Sequence, residues 1–170
     1  GLAALAAGLS VAVNPVGVVA LAPVIVLAPG IWRLVRGPGA AGRIALLGCL
    51  GSTALVAAFA DQSLFGVREA TELHKLYGPD VPWFMEIQRY EFLLGFSLEG
   101  DVARRTPVLV SVAVLLVAAL LLSRGASALP GMWWAHVPPA CLAIGLGLLW
   151  LTPSKWTHYF GALAGFGAAT

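Results

Sequence analysis

The sequence predicts an all-α membrane protein: a polytopic helix bundle with one aqueous loop that carries short interfacial helices. Three observations predict it. Of the 170 residues, 59% are hydrophobic and 11% charged, whereas soluble chains carry about a quarter charged residues, so the polar surface of a water-soluble fold is missing. Charge-free windows run over residues 1–32, 44–60, 106–123, 125–154 and 156–170, and a membrane-crossing helix needs about 20 mainly apolar residues. All eight acidic residues, Asp61, Glu69, Glu72, Asp80, Glu86, Glu91, Glu99 and Asp101, fall in the single stretch 61–105.

Taken in order, the windows give the elements. A charge at mid-bilayer costs about 2.5 to 3.5 kcal/mol on insertion scales, so spans are sought between charges. In the first window Asn14-Pro15 breaks the helical pattern, because proline disfavours helix at the residue before it. A short first helix over 1–13 is therefore followed by a second over 16–35, with kinks expected at Pro23 and Pro29. Further spans are expected over 41–60, 106–123 and 132–151, and a last helix over 156–170. Gly37-Pro38-Gly39 and Leu129-Pro130-Gly131 read as turns. The first and last helices read as cut short, so the chain is expected to be a stretch of a longer membrane protein.

Topology follows from the positive charges. Arg33, Arg36, Arg43 and Arg124 lie in short connections without an acid, which the positive-inside rule places in the cytoplasm. The loop 61–105 and residues 152–159 are then both expected on the extracytoplasmic face of the plasma membrane. Within the loop, two helices are expected at the interface. In one, Arg68, Glu69, Glu72 and Lys75 pair at i, i+3 and i+4. In the other, Pro82 opens the first turn, and the stripe Trp83, Ile87, Tyr90 and Leu94 is expected to face the bundle or lipid, leaving Glu86, Gln88 and Arg89 elsewhere on the surface.

Several function classes drop out. The ten Lys and Arg are scattered singly or in pairs and the net charge is +2, so no basic stripe for nucleic acid exists. Cys49 and Cys141 sit in apolar runs as small hydrophobes. His74 and His136 lack ligand-bearing neighbours at metal spacing, and no metal site, nucleophile elbow, phosphate-binding glycine loop or cofactor motif is present.

The residues that remain gather at membrane boundaries. Lys155, Trp156, His158 and Tyr159 can be read as an interfacial aromatic belt with a snorkelling lysine. They can equally be read as an anion site, with Lys155 and His158 on one side of a helix start and Trp156 offering a flat face to a sugar or prenyl chain. Glu86, Arg89 and Tyr90 allow a bidentate phosphate grip with a carboxylate to orient it, or a plain i, i+3 ion pair. Asp61-Gln62 is either a polar pair at a helix end or directed at a site. Arg104-Arg105, opening a span, is expected to anchor to lipid headgroups.

Residues 152–161, Thr-Pro-Ser-Lys-Trp-Thr-His-Tyr-Phe-Gly, resemble the Thr-Pro-Thr-Lys-Trp-x-His-His-Phe-Gly segment of the Emb arabinosyltransferases, the ethambutol-target enzymes of actinobacterial cell-wall arabinan synthesis. The resemblance continues, in the same order, in Asn14-Pro15-Val16-Gly17, Phe59-Ala60-Asp61-Gln62, the run Glu86 to Tyr90 and Arg104-Arg105. It departs where Tyr159 replaces the second His and where Ile87-Gln88 replaces Asn-Leu. The resemblance implies a GT-C type glycosyltransferase with decaprenyl-phosphate arabinofuranose as donor, an arabinan acceptor, membrane lipids around it, and a second copy or paralogue as dimer partner. It implies that Trp156 and His158 line the donor and ethambutol pocket beside Lys155, with the general base outside these 170 residues and no cofactor within them. Two rival classes are a transporter or flippase segment, motivated by the Pro-broken first window, and a structural membrane module. The charge-free span interiors count against the transporter.

Overall fold

The computed structural model describes residues 1–77, 81–97, 100–124 and 134–170, without the side chains of His74 and Tyr77. Asp80, Glu99, the Leu129-Pro130-Gly131 turn and the helix start expected at Met132 lie outside these residues. Among the described residues every regular element is a helix. Helix α1 (Leu2–Val13) stops at Asn14, whose extended backbone and side-chain oxygen, accepting from the Val16 N–H at 2.9 Å, cap the 3₁₀ segment Pro15–Leu21. The chain continues as α2 (Ala22–Val26) and α3 (Ala28–Val35), each with proline in its first two positions.

This region is more broken than two kinks. The axis turns by 66° between Pro15–Val26 and Ala28–Val35. Pro29 has no N–H to donate, and in a continuous helix its ring would collide with the carbonyl of Ile25; starting a new helix at Ala28 removes both problems. Gly37 and Gly39, at φ 113° and 80°, then make the turn into α4 (Ala40–Ala58). Those left-handed values are open to glycine without strain.

After α4 come α5 (Leu64–Tyr77) and α6 (Ile87–Leu94). Helix α7 (Val102–Ser123) begins before the expected span, because Asp101 caps it by accepting from the Ala103 N–H at 3.0 Å, and so it includes Arg104 and Arg105. Helix α8 (Val137–Leu148) tightens into a 3₁₀ turn at Leu149–Leu151, and a second 3₁₀ stretch, Thr157–Leu163, leads into α9 (Ala164–Ala169). Among the described residues α4 and α7 are long and apolar enough to cross a membrane, and the bent segment 15–35 makes a third if it crosses as one.

Helix α1 packs along α4, α2 lies on α8, and α7 lies on α8 and α9. The core, Val19, Leu93, Leu142, Leu149, Tyr159, Phe160 and Leu163, forms where α6, α8 and the two longer 3₁₀ segments meet. By contrast α4 and α7 contain no buried residue at all. The α1–α4 contact is close because both helices present glycine: a Cβ on Gly8 would run into the carbonyl of Gly51, while one on Gly51 would sit 3.4 Å from the Ala4 carbonyl oxygen. Small residues of this kind let helix backbones approach in lipid. Gly8→Ala is expected to destabilise the detergent-solubilised protein by about 1 to 3 kcal/mol through overpacking, with Gly51→Ala close to neutral; thermal unfolding of the two variants checks this.

Candidate functional site

Three ionisable side chains are sealed in the interior where α6 meets the end of α8. Glu86, Arg89 and Lys155 are exposed by 1%, 0% and 0%. Arg89 Nε donates to Glu86 Oε1 at 2.6 Å, and Lys155 Nζ stands 3.0 Å from Glu86 Oε2. One carboxylate thus faces two cations, and backbone carbonyls complete the shell. Arg89 Nη1 donates to the Trp156 oxygen at 2.7 Å; Nη2 donates to Leu149 O at 3.1 Å and to Thr152 Oγ1 at 2.8 Å. Lys155 Nζ donates to Trp150 O at 2.9 Å, Thr152 O at 3.1 Å and Trp83 O at 3.3 Å. The guanidinium also lies 5.6 and 5.8 Å from the ring centres of Tyr159 and Phe160, within cation–π range.

Local sequence explains the arrangement. The last carbonyls of a helix have no partner within it and carry the negative end of its dipole. Here Leu149, Trp150 and Thr152 offer those oxygens, and two cations arrive to take them. In α6 the spacing 86, 89, 93 puts Glu86, Arg89 and Leu93 on the buried face, whereas Trp83, Ile87 and Leu94 are 61%, 62% and 53% exposed. The stripe is free to face lipid except at Tyr90, which packs on Phe160; the expectation overturned is the surface placement of Glu86 and Arg89, which are buried. An apolar stripe loses nothing by facing lipid or another apolar surface, but Arg89 has its acceptors only on the inner side, so the polar pair decides which face turns in.

Lys155 and His158 are separated as well. Lys155 precedes the 3₁₀ segment, its ammonium taken up by Glu86 and carbonyls, while His158 is exposed. The ring of His158 lies 5.8 Å from Trp156 and edge-on to Tyr159 at 4.9 Å. It borders a groove of about 380 Å³ between α7, α8 and residues 157–164, a volume within the range of roughly 300 to 1,000 Å³ seen for small-molecule sites. Pro107, Val108, Val112, Leu142, Leu146 and Leu163 make its walls apolar; Arg104, Ser111, Thr157 and His158 supply the polar groups. Among the described residues no group of three or more His, Cys, Asp and Glu side chains is placed to hold a metal ion.

The paired arginines divide. Arg104 borders the groove, whereas Arg105 turns to the end of α6, donating from Nε to Leu93 O at 3.0 Å and from Nη2 to Gly95 O at 2.8 Å and Gly100 O at 2.6 Å. Arg105 is therefore a staple between α6 and α7 and not a headgroup anchor, because the orphan carbonyls of α6 lie within its reach. Consecutive helical residues point about 100° apart, the one signal in the sequence that two adjacent arginines serve different surfaces. Tyr90 packs on Phe160 at 5.6 Å. Burial pushes its phenol above the ordinary value of 10.0, as does the Glu86 carboxylate, against a smaller opposite effect of Arg89. Asp61 and Gln62 are exposed in the turn after α4, and α4 packs on α1 and α3; no hydrogen bond or ion pair joins them to the buried charges among the described residues.

The whole chain, residues 1–170, matches the family model described as mycobacterial cell wall arabinan synthesis protein. The chain belongs to this family. Probable arabinosyltransferase A of Mycolicibacterium smegmatis is 39% identical over 167 residues, which are 94% of this chain and 15% of that protein. Probable arabinosyltransferase B of Mycobacterium leprae is 33% identical over 177 residues, 99% of this chain and 16% of the relative. Probable arabinosyltransferase A of Mycobacterium tuberculosis is 35% identical over 172 residues, 96% and 16% respectively. The chain thus spans about a sixth of the length of these arabinan-synthesis relatives, which are glycosyltransferases by name.

Glu86→Gln is expected to lower stability by about 3 to 5 kcal/mol, since two buried cations lose the one carboxylate that pairs with them among the described residues; melting temperature in detergent reads this. For Tyr90, a raised folded value means that its contribution to stability is present below the ordinary pKa and is lost as pH rises through the folded one. A tyrosinate absorbance titration should show a late-ionising phenol above pH 10.0 that Tyr90→Phe removes.

Proposed function

We propose that this chain is part of the membrane-embedded, GT-C type helix bundle of an arabinosyltransferase, and that the groove beside His158 receives decaprenyl-phosphate arabinofuranose. The observation that carries the reading is the groove itself: apolar along α7 and α8, polar at Arg104, Thr157 and His158. That division matches a ligand with a long isoprenoid tail, an anionic phosphate and a sugar. Family membership supports arabinan as the acceptor. On this reading the loop 61–105 and the 152–159 segment share the extracytoplasmic face, and α6 bonding directly to residues 149–156 supports their sharing one end of the molecule. A paralogue or second copy is the dimer partner.

The chemistry assigned to the site is limited and definite. An acceptor hydroxyl oxygen bonds to the anomeric carbon of arabinose, the bond from that carbon to the phosphate oxygen breaks, and polyprenyl phosphate leaves with the electron pair. The hydroxyl proton passes to a general base outside these residues. Arg104 and His158 stabilise charge on the departing phosphate, a role for preorganised donors placed where charge develops. Trp156 lies outside the groove lining and stands beside His158, 5.8 Å between ring centres, where it would meet the sugar only if the ligand extends past His158. Donor binding needs neither Glu86 nor Lys155 at the ligand, because both are spent within the protein.

The test uses the full-length enzyme with a lipid-linked arabinose donor. His158→Ala and Arg104→Gln are each expected to lower kcat/KM for the donor by about 10². Unchanged turnover and donor KM in both variants would reject the groove as the donor site.

A further inference from the structure

We propose that Arg89, held by Glu86, is a positioning residue for the reaction: it sets the path of the chain that presents Thr157 and His158 to the groove. The inference rests on the reading of His158 given above. It starts from what holds residues 152–156. They form neither helix nor strand, lying between the 3₁₀ turn Leu149–Leu151 and the 3₁₀ segment Thr157–Leu163. A stretch without a ladder of its own must place its carbonyls elsewhere if it is buried. Thr152 and Ser154 are 1% and 2% exposed, and Arg89 and Lys155 take the carbonyls of Trp150, Thr152, Ser154 and Trp156.

The decisive bond is the one to Trp156. Its carbonyl accepts from Arg89 Nη1 at 2.7 Å and from the Tyr159 N–H at 3.3 Å, the latter closing the first 3₁₀ turn. The guanidinium therefore fixes the point from which Thr157 and His158 start. It also lies 5.8 Å from the ring centre of Phe160, which lines the groove. Arginine suits the position because a planar fork can serve a carboxylate and several carbonyls at once, whereas lysine offers one nitrogen. Glu86 keeps the fork in register by pairing with Nε at 2.6 Å and Nη2 at 3.3 Å.

A positioning role makes a prediction that a merely structural one does not. Arg89→Lys keeps the buried charge and the pairing with Glu86 but frees the Trp156 carbonyl. In the full-length enzyme it should lower turnover by about 10²-fold, the scale of a misplacement near 1 Å, with donor KM changed less than about threefold. Because Arg89 acts through His158, the double variant Arg89→Lys/His158→Ala should be no slower than His158→Ala alone, a non-additivity expected only of residues acting as a unit. If the two effects multiply, or Arg89→Lys turns over at the wild-type rate, the positioning role is wrong. If His158→Ala alone has no effect, the donor-site reading has failed, and any loss in Arg89→Lys then has another origin. Should Arg89→Lys not accumulate in membranes, Thr152→Val, which removes only the hydroxyl that Nη2 reaches at 2.8 Å, carries the test. It should lower turnover several-fold, and an unchanged rate overturns the proposal.

Discussion

A single carboxylate between two buried cations sets the terms for the surrounding structure. Glu86 neutralises one positive charge, not two, so the interior around Arg89 and Lys155 needs further negative ends, and backbone carbonyls are the source at hand. Desolvated charges are tolerable only when their remaining donors are satisfied. Pro153, with no N–H to donate and with Thr152 before it held extended, stops the helix after the 3₁₀ turn at Leu151, and the carbonyls of 152–156 that a helix would have used are left for the arginine fork and Lys155. The irregular stretch, the seating of α6 and the start of the Thr157–Leu163 segment are one solution to one problem.

Among the described residues apolar burial is concentrated in the cluster around Val19, Leu142 and Phe160. Helices α4 and α7 are apolar yet bury nothing among the described residues, and Leu116, Leu120 and Leu121 of α7 are at least half exposed. In lipid such faces cost nothing, and association of helices rests on close packing and on polar contacts. The two are divided between the two ends of the sequence. At α1 and α4 the glycine pair Gly8 and Gly51 brings backbones together; at α6, α7 and α8, Arg89, Lys155 and Arg105 do the joining through side chain to carbonyl bonds.

What could be read in the sequence was whatever local chemistry determines. The stop at Asn14-Pro15 and the turn at Gly37-Pro38-Gly39 follow from backbone geometry over two or three residues, and both are present. The family was legible in residues 152–161 and is the one matched. The burial of Glu86 and Arg89 in α6 was not legible, because it depends on carbonyls some 60 residues away. For the same reason Lys155 and His158, three apart, read as partners; the backbone between them is not helical until Thr157, so helical spacing did not apply. Pro29 was read as a kink where it begins a helix, since proline specifies that a bond is lost and not how far the axis then turns.

The two regions of interest share a wall, and that sharing gives the proposed site its character. Phe160 lines the groove and has the Arg89 guanidinium 5.8 Å from its ring centre. A ring in that position separates the buried charges from the groove without screening them as water would, since a thin apolar layer has a low dielectric. The positive charge of Arg89 and Lys155 in excess of Glu86 therefore lies close to the groove. An anionic group entering there meets an attractive field from behind the wall as well as donors in front of it. An isoprenoid tail meets Leu142, Leu146 and Leu163, where no charge competes. The groove thus offers charge at one end and an apolar surface at the other, the division on which its proposed role as a donor site rests.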